Sequence, residues 1–200
     1  MKITSIKQQV KRADRYSIYV DDKYSFSLSE QELLSIKIKV GQEVTKLELK
    51  ELLNKAEDDK AYMRVLDYLS RRPRSRWEVG QYLLRKGHND NTITKILNRL
   101  SERGYIDDNK FAESWVRSRR ALKPISKRKL RYELQQKHIS KSIVQTALEQ
   151  DHTDEQLVLS DLIARKRQQT RYQDEQKLKA YLVRQGFGFD DINVVIREHQ

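Results

Sequence analysis

Apolar side chains recur at the same spacing in three stretches of the chain, about fifty residues apart. In each stretch a Ser or Asp is followed, at steps of four, by two apolar residues and then by Gly or His. The three sets are Ser75, Val79, Leu83 and Gly87, then Ser126, Leu130, Leu134 and His138, then Asp174, Leu178, Leu182 and Gly186. Ten to fourteen residues after each third member come more apolar residues, namely Ile93, Ile96 and Leu97, then Val144, Ala147 and Leu148, then Ile192, Val195 and Ile196. This spacing is typical of a capped amphipathic helix, a turn and a second amphipathic helix.

Another amphipathic helix precedes each set. The apolar faces of these helices are Tyr62, Val65, Leu66 and Leu69, then Phe111, Ala112, Trp115 and Val116, then Leu157, Leu159, Leu162 and Ile163. The pattern therefore predicts nine helices in three tandem three-helix repeats, at residues 59–106, 107–152 and 153–200. Such units bury their apolar faces by stacking, so we expect an elongated, curved array that presents a binding surface. His138 replaces the glycine of the other two turns, and we expect its turn to be tighter or differently shaped.

The N-terminal residues alternate in the manner of β-strands. Tyr16–Val20 and Tyr24–Leu28 carry aromatic and β-branched residues on either side of an Asp-Asp-Lys turn. This pattern predicts a β-hairpin, paired with a strand within Ile3–Val10. Residues 1–58 are thus expected to form a small α+β module in front of a mainly α protein.

Polar residues mark the expected helix ends. Ser29 is expected to cap one short helix, and a longer helix should run from about Thr45 toward Glu57. The charged stretch at 57–60 is either a linker or a solvated helix face. Asn91 or Thr92 is expected to cap the third helix of the first repeat.

Composition narrows the class of protein. Charged residues make up 35% of the chain and hydrophobic residues 37%, which suits solvated helices better than a doubly wound sheet. The chain has no cysteine, which excludes disulfides, thiolate zinc sites and cysteine nucleophiles, and fits a reducing cytoplasm. The N-terminus lacks an apolar leader, and no run of apolar residues is long enough to span a membrane. We therefore expect a cytoplasmic monomer without a membrane contact.

Candidate catalytic groups have simpler structural explanations. The four histidines are scattered and are expected at surface or capping positions: His88, His138, His152 and His199. Asp107 and Asp108 begin a helix, where acidic residues cap N–H groups, so they are not assigned to a metal. The stretch Gly186–Phe189 follows a helix and lacks the third glycine of a dinucleotide loop. We predict no catalytic residue, no metal and no cofactor.

The positive charge is confined to one region. Residues 61–148 carry 21 Lys and Arg against 8 Asp and Glu, a net charge of +13, whereas 1–60 and 149–200 carry +1 and −2. Such confinement indicates a polyanionic partner, either nucleic acid or an acidic protein groove. The candidate binding residues form three clusters: Arg71, Arg72, Arg74 and Arg76; Arg117, Arg119, Arg120 and Lys123; and Lys127, Arg128, Lys129 and Arg131. Trp77, Trp115 and Tyr132 lie among them and could stack on bases, although core packing is favoured for Trp115.

These residues resemble a known family. The stretch Arg-Ser-Arg-Trp-Glu-Val at 74–79 is followed by Leu83, Lys86-Gly87 and Leu100, and then by Gly-Tyr-Ile-Asp-Asp at 104–108 with Phe111-Ala112. This arrangement resembles the RecX family, regulators of the bacterial recombinase RecA. The second repeat continues the resemblance at Arg128, Glu133-Leu134, Lys137 and Ala147-Leu148, and the register extends to about residue 196. Residues 1–60 resemble the N-terminal extension of the longer family members.

The resemblance implies both a fold and an activity. RecX proteins consist of tandem three-helix repeats, which agrees with the repeat spacing. The family implies a modulator that lies in the groove of the RecA–DNA filament and inhibits ATP hydrolysis, strand exchange and the coprotease activity behind the SOS response. It also implies binding to single- or double-stranded DNA with little sequence preference, and neither a cofactor nor catalytic residues.

Three other classes of protein remain open at this point. A winged-helix transcription regulator could use helices at 76–87 and 92–103, but Asp107-Asp108 begins another helix where two wing strands are needed. A nuclease would require a carboxylate or metal cluster that the sequence does not show. A purely structural scaffold would not require so uneven a distribution of charge.

Overall fold

The structure is a computed structural model, and it describes residues 1–198. The chain forms two compact units. The first comprises Met1–Pro73 and Val79–Tyr105, and the second comprises Arg74–Glu78 and the chain from Ile106 onwards. His199 and the end of the third predicted repeat lie outside the described residues.

The first unit begins with a three-stranded antiparallel sheet in the order β1-β2-β3. Its strands are β1 (Ile3–Gln9), β2 (Arg12–Val20) and β3 (Lys23–Ser29). Asp21 and Asp22 form the turn between β2 and β3 with φ of 47° and 61°. Two successive residues with positive φ are typical of the two-residue turn that matches the twist of paired strands. The predicted hairpin and its third strand are confirmed.

Two helices pack against this sheet. Helix α1 (Glu30–Ile36) begins after Ser29, whose hydroxyl accepts the N–H of Glu32. Helix α2 (Lys46–Leu69) begins with a capping box formed by Thr45 and Glu48. Both predicted starts are confirmed, but the predicted end near Glu57 is wrong. No Gly or Pro occurs between Thr45 and Leu69, so nothing ends the helix at the charged stretch, which is neither a linker nor a fully solvated face.

A buried carboxylate joins the sheet to these helices. Asp59 is 1% exposed and accepts hydrogen bonds from the backbone N–H of Ser29 at 2.8 Å and from its hydroxyl at 2.5 Å. The guanidinium of Arg15, 4% exposed, lies 3.6 Å from the same carboxylate and also donates to the carbonyl of Ser27. The beginning of α1, the middle of α2 and strand β2 are thereby held at one point.

The remaining helices follow the repeat pattern. They are α3 (Arg76–Arg85), α4 (Asp90–Glu102), α5 (Asp108–Leu122), α6 (Lys127–Gln136), α7 (Lys141–Glu149), α8 (Glu155–Arg167), α9 (Glu175–Arg184) and α10 (Phe189–Glu198). Within the described residues, α2 to α10 account for the nine predicted repeat helices, and a short 3-10 helix, Thr170–Tyr172, precedes α9. The cap of α4 is Asn89, which accepts from Thr92 N–H, and not Asn91 or Thr92 as predicted.

Each repeat of the second unit has its own apolar core. One cluster is built from α5, α6 and α7 and contains Phe111, Leu130, Leu134 and Val144. The other is built from α8, α9 and α10 and contains Leu159, Leu178, Leu182 and Ile192. The predicted apolar faces are confirmed with one exception, since Leu157 is 65% exposed. It lies near the start of α8, three residues after the cap Asp154.

His138 adopts the same backbone conformation as the glycines at the equivalent turns. Its φ is +55°, against +82° for Gly87 and +93° for Gly186. The hydrogen bonds are also equivalent, because His138 N–H donates to the carbonyl of Gln135 at 2.9 Å and Gly186 N–H donates to that of Val183 at 2.9 Å. The prediction of a differently shaped turn is therefore wrong. At this turn, unlike the other two, a residue other than glycine adopts the left-handed conformation.

Candidate functional site

A polar junction within the second unit holds the segment that contains Arg74 and Arg76, two residues of the first basic cluster. Ser75 caps α3 in a capping box with Glu78, and its hydroxyl also donates to the carbonyl of Lys137 at 3.0 Å. The backbone N–H of Arg76 donates to the carboxylate of Asp108 at 2.8 Å. The ammonium of Lys137 lies 2.9 Å from the carboxylate of Glu78. The segment Arg74–Glu78 is thus fixed against the start of α5 and the end of α6.

The same device recurs one repeat later. The N–H of Lys127, the first residue of α6, donates to the carboxylate of Glu155 at 2.7 Å. Glu155 is the first residue of α8, as Asp108 is the first residue of α5. The cap residue Ser126 donates its N–H to the carbonyl of Gln185 at 3.1 Å. In both places, the first helix of one repeat supplies a carboxylate to the start of the preceding repeat's middle helix.

The first predicted cluster is placed in and around the loop before α3. Arg71 and Arg72 are exposed, whereas Arg74 and Arg76 are half-buried. Arg72 donates to the carbonyl of Pro73 at 3.0 Å. The cluster divides between the two compact units: Arg71 and Arg72 belong to the first, and Arg74 and Arg76 belong to the segment of the second that the junction holds.

The second predicted cluster divides into paired and unpaired cations. Arg119 lies 2.7 Å from the carboxylate of Glu133, and its guanidinium lies 4.3 Å from the ring centroid of Trp115. Arg120 donates from Nε and Nη2 to Asp151 at 2.9 and 2.7 Å, and from Nη1 to the carbonyl of Ile125. These two arginines hold α5 to its neighbours. Their partners are 14 and 31 residues away along the chain, so spacing alone could not reveal them.

The pairing of Arg120 also affects its partner. Burial alone would raise the pKa of Asp151, but hydrogen bonds from Arg120 and Thr153, with the guanidinium charge, bring that pKa below its usual value of 3.8. Asp151 therefore stays ionised at neutral pH, and Arg120 has a permanent anionic partner. A second anion, such as a DNA phosphate, would have to compete with this carboxylate.

Four other cations of the second and third predicted clusters are exposed and lack a carboxylate partner among the described residues. Arg117 and Lys123 lie on and just after α5, and Arg128 and Arg131 lie on α6. Lys127 and Lys129, also on α6, are half-buried, and the ammonium of Lys129 lies 5.8 Å from the ring centroid of Tyr132. Sequence reasoning missed Arg184 of α9, which lies with Arg128 and Lys129 around one groove. Arg184 belongs to the third repeat, which is acidic overall, so the sequence gave no reason to assign this residue to a basic surface.

The three aromatic residues differ in their surroundings. Trp115 donates from Nε1 to Glu133 at 2.9 Å and packs against the core of the middle repeat, which confirms the core assignment. Trp77 is 39% exposed, and its ring stacks on that of His138 with centroids 4.1 Å apart. Tyr132 is 55% exposed. Of the three, Tyr132 offers the most accessible ring surface.

The described residues contain no group of three or more His, Asp or Glu side chains placed to hold a metal ion. None of their helices combines the length and hydropathy that a membrane crossing requires. His138 and His152 are exposed, and His88 is half-buried in the turn after α3. Residues 108–122, where a winged helix would need strands, form α5.

These features define a class of protein in which tandem three-helix repeats follow a small α+β module, with exposed cations on the middle repeat. Comparison with known proteins agrees with this class. Three family models match the chain: the N-terminal domain of regulatory protein RecX at residues 1–45, the first three-helix domain of RecX at 61–100, and its second three-helix domain at 107–148.

Relatives and solved structures extend the similarity to nearly the full chain. Regulatory protein RecX of Bacillus licheniformis is 30% identical to this chain, and the match covers 98% of this chain and 76% of the relative. Regulatory protein RecX of Clostridium botulinum is 29% identical, and the match covers 98% of this chain and 95% of the relative. A crystal structure of regulatory protein RecX matches with a TM-score of 0.77 and 28% identity over 98% of both chains. One of RecX from Lactobacillus salivarius matches with a TM-score of 0.59 and 28% identity over 72% of this chain and 97% of its own. The chain belongs to the RecX family of regulatory proteins.

Proposed function

We propose that this chain is a non-catalytic modulator, mainly an inhibitor, of the recombinase RecA. It binds in the groove of the RecA filament on DNA and damps ATP hydrolysis, strand exchange and the coprotease activity of the SOS response. It acts in the cytoplasm as a monomer. Membership of the RecX family supports this proposal, because the resemblance implies these activities for its members.

One observation of the structure supports the proposal most directly. The middle repeat exposes Arg117, Lys123, Arg128 and Arg131, and none of the four has a carboxylate partner among the described residues. A cation without an internal carboxylate partner can attract an external anion at less cost than Arg120, which would first have to leave Asp151. The exposed face of α5 and α6 is therefore the proposed contact with RecA carboxylates or DNA phosphates.

The proposed mechanism uses many modest contacts. Fixed junctions hold the middle and third repeats in register, so several cations reach the filament together. The local excess of positive charge also accelerates the encounter with a polyanion. A chain that bridges neighbouring RecA protomers would obstruct the movements that accompany ATP hydrolysis.

The DNA-dependent ATPase of RecA, measured with and without the full chain, tests the function. We expect inhibition at stoichiometric concentration, weakening as salt rises. If about six phosphates are neutralised, DNA affinity should fall by on the order of 10³-fold between about 50 and 200 mM salt. An ATPase rate that does not change at stoichiometric concentration would contradict the proposal.

Charge reversal tests the surface. The double variant Arg117→Glu, Arg131→Glu should lose inhibition while its helical circular-dichroism signal stays. The matched control is Lys46→Glu, Lys50→Glu, which changes the net charge equally at two exposed positions of α2. Equal inhibition by both double variants would show that the contact lies on another face.

A further inference from the structure

An open groove of about 570 Å³ lies between α6 and α9 of the second unit. Six residues line it: Arg128, Lys129, Tyr132, Val183, Arg184 and Gly186. Three of the six are cations and none is acidic. Tyr132 and Val183 are 55% and 42% exposed, so an aromatic ring and an aliphatic side chain are accessible beside the positive charges.

The other cavities differ in their electrostatics. A cavity of equal volume beside α5 and α7 includes Glu113 and Asp151, and its Arg120 is already paired with Asp151. A smaller one in the first unit, about 190 Å³, contains Glu32, Asp58 and Asp59. Of these three cavities, the groove between α6 and α9 alone combines positive charge with an accessible aromatic ring and no carboxylate. It therefore suits a ligand that is both anionic and flat.

Glycine at position 186 allows the two helices to approach closely. Its φ is +93°, and a Cβ there would meet the hydroxyl of Ser126 and lie 2.7 Å from Cβ of Lys129. The end of α9 thus lies directly against the first turn of α6. The groove lies beside this contact, so its width depends on the absence of a side chain at Gly186.

The equivalent place one repeat earlier is occupied. Trp77 follows the cap Ser75 by two residues, as Arg128 follows the cap Ser126, and His138 takes the position of Gly186 in its turn. Trp77 and His138 stack with centroids 4.1 Å apart, so two rings of the chain itself meet there. Where the earlier junction has a ring pair, the later one has a cation, a glycine and an open groove.

We infer that this groove holds one nucleotide of single-stranded DNA, with the base stacked on Tyr132 and its phosphate near Lys129, Arg128 and Arg184. A base can stack on a protein ring only when it is unstacked from its neighbours, so a single strand is favoured over a duplex. Stacking on an aromatic side chain accepts any base, which gives binding without sequence preference. The inference deepens the proposed function, since it rests on that function's contact with DNA and specifies the ligand.

Binding of the full chain to a fluorescein-labelled oligo(dT), measured by anisotropy, tests the groove. We expect Tyr132→Ala to weaken binding about tenfold and Tyr132→Phe, which keeps the ring, to bind like the parent chain. The matched control is Tyr105→Ala, because Tyr105 is also 55% exposed and lies outside the groove. Arg184→Gln should weaken binding and lower the slope of log affinity against log salt by about 0.7. Photocrosslinking with 5-iododeoxyuridine in the oligonucleotide should label the peptide that contains Tyr132.

Several outcomes would overturn the inference: no binding of oligo(dT), unchanged binding by Tyr132→Ala, crosslinks elsewhere, or a preference for duplex. If Tyr132→Ala weakened the complex with DNA-free RecA while oligo(dT) binding stayed the same, the groove would be a protein contact instead. Failure of the proposed function is distinguishable. If the chain left the RecA ATPase unchanged but bound oligo(dT) through Tyr132, the groove would stand as a DNA-binding site and the proposed regulation of RecA would be contradicted.

Discussion

The backbone N–H of Arg76 donates a hydrogen bond to the carboxylate of Asp108 at 2.8 Å, although 32 positions separate the two residues. Lys127 and Glu155 repeat this relationship at 2.7 Å, 28 positions apart. In each case an N–H that the helix itself leaves without a partner is satisfied by the next repeat. These two hydrogen bonds therefore use backbone N–H donors, and they do not depend on the identity of the exposed side chains of α3 and α6.

Asp108→Ala should destabilise the second unit by about 1 kcal/mol, because the N–H of Arg76 loses its acceptor. Asp108→Asn should cost less. Burial raises the pKa of Asp108 despite the hydrogen bond from Arg76, so the charged form is disfavoured there, and an amide keeps the acceptor without the charge. Urea unfolding followed by tryptophan fluorescence measures this unit specifically, since both tryptophans, Trp77 and Trp115, belong to it.

Asp161→Ala is the control for that experiment, because Asp161 is exposed on α8 and should change stability by less than about 0.5 kcal/mol. An equal loss in the Asn and Ala variants of Asp108 would show that the negative charge, and not the acceptor, stabilises the junction.

Asp151→Asn should destabilise the second unit by about 3 kcal/mol at neutral pH, because it leaves the guanidinium of Arg120 without its anion. The pKa of Asp151 is lowered in the folded chain, so its stabilising contribution is fully present above the unfolded value of 3.8 and disappears as pH falls through the folded pKa. The difference between parent and variant should therefore be the same at about pH 7 and about pH 5, and should shrink only below 3.8. A difference that narrowed already between pH 7 and pH 5 would assign the effect to another group.

His138→Gly should stabilise the second unit more in the absence of Trp77 than in its presence. Glycine relieves the cost of a left-handed conformation, on the order of 1 kcal/mol, but removes the ring that stacks on Trp77. In a Trp77→Ala background only the relief remains, so the substitution should stabilise the second unit by about 1 kcal/mol. The double-mutant cycle, measured through the fluorescence of Trp115, should give a coupling of about 0.5–1.5 kcal/mol. Zero coupling would mean that the stack contributes nothing to stability.

Asp59→Ala should destabilise the first unit by about 3–5 kcal/mol, because Arg15 remains buried without its partner and Ser29 loses its acceptor. Hydrogen exchange of β2 and of the start of α1 should accelerate. Asp67→Ala is a matched control on the same helix, since Asp67 lies 3.6 Å from Arg12 but both side chains are more than half exposed. Similar exchange in the two variants would contradict a special role for the buried pair.

Local signals were sufficient for much of the fold. The Asp-Asp turn, the caps Ser29, Thr45, Ser126 and Asp174 and the glycine turns are each determined by a few neighbouring residues, and these predictions are confirmed. The course of α2 was predicted wrongly because four consecutive charged residues suggested a break. Charge alone does not end a helix, and one of the four, Asp59, is buried.

The candidate site was harder to predict because charge pairing depends on tertiary contacts. Arg119 and Arg120 were indistinguishable in sequence from Arg117, yet the structure pairs them with Glu133 and Asp151 and leaves Arg117 exposed. Arg184 was not predicted, because its position beside other cations also depends on tertiary contacts. It joins Arg128 and Lys129 only because the end of α9 lies against α6.

Helix α2 has a consequence for any movement within the first unit. It runs for 24 residues, about 36 Å, through the interval between the segments that match the RecX N-terminal domain and the first three-helix domain. Since the helix contains neither glycine nor proline, it has no residue that would act as a hinge. Because Asp59 bonds α2 to the sheet, a tilt of the sheet would also tilt the part of the helix that carries Tyr62 and Val65. Truncations that separate the two segments should avoid 46–69, because a cut there would divide one helix between two fragments.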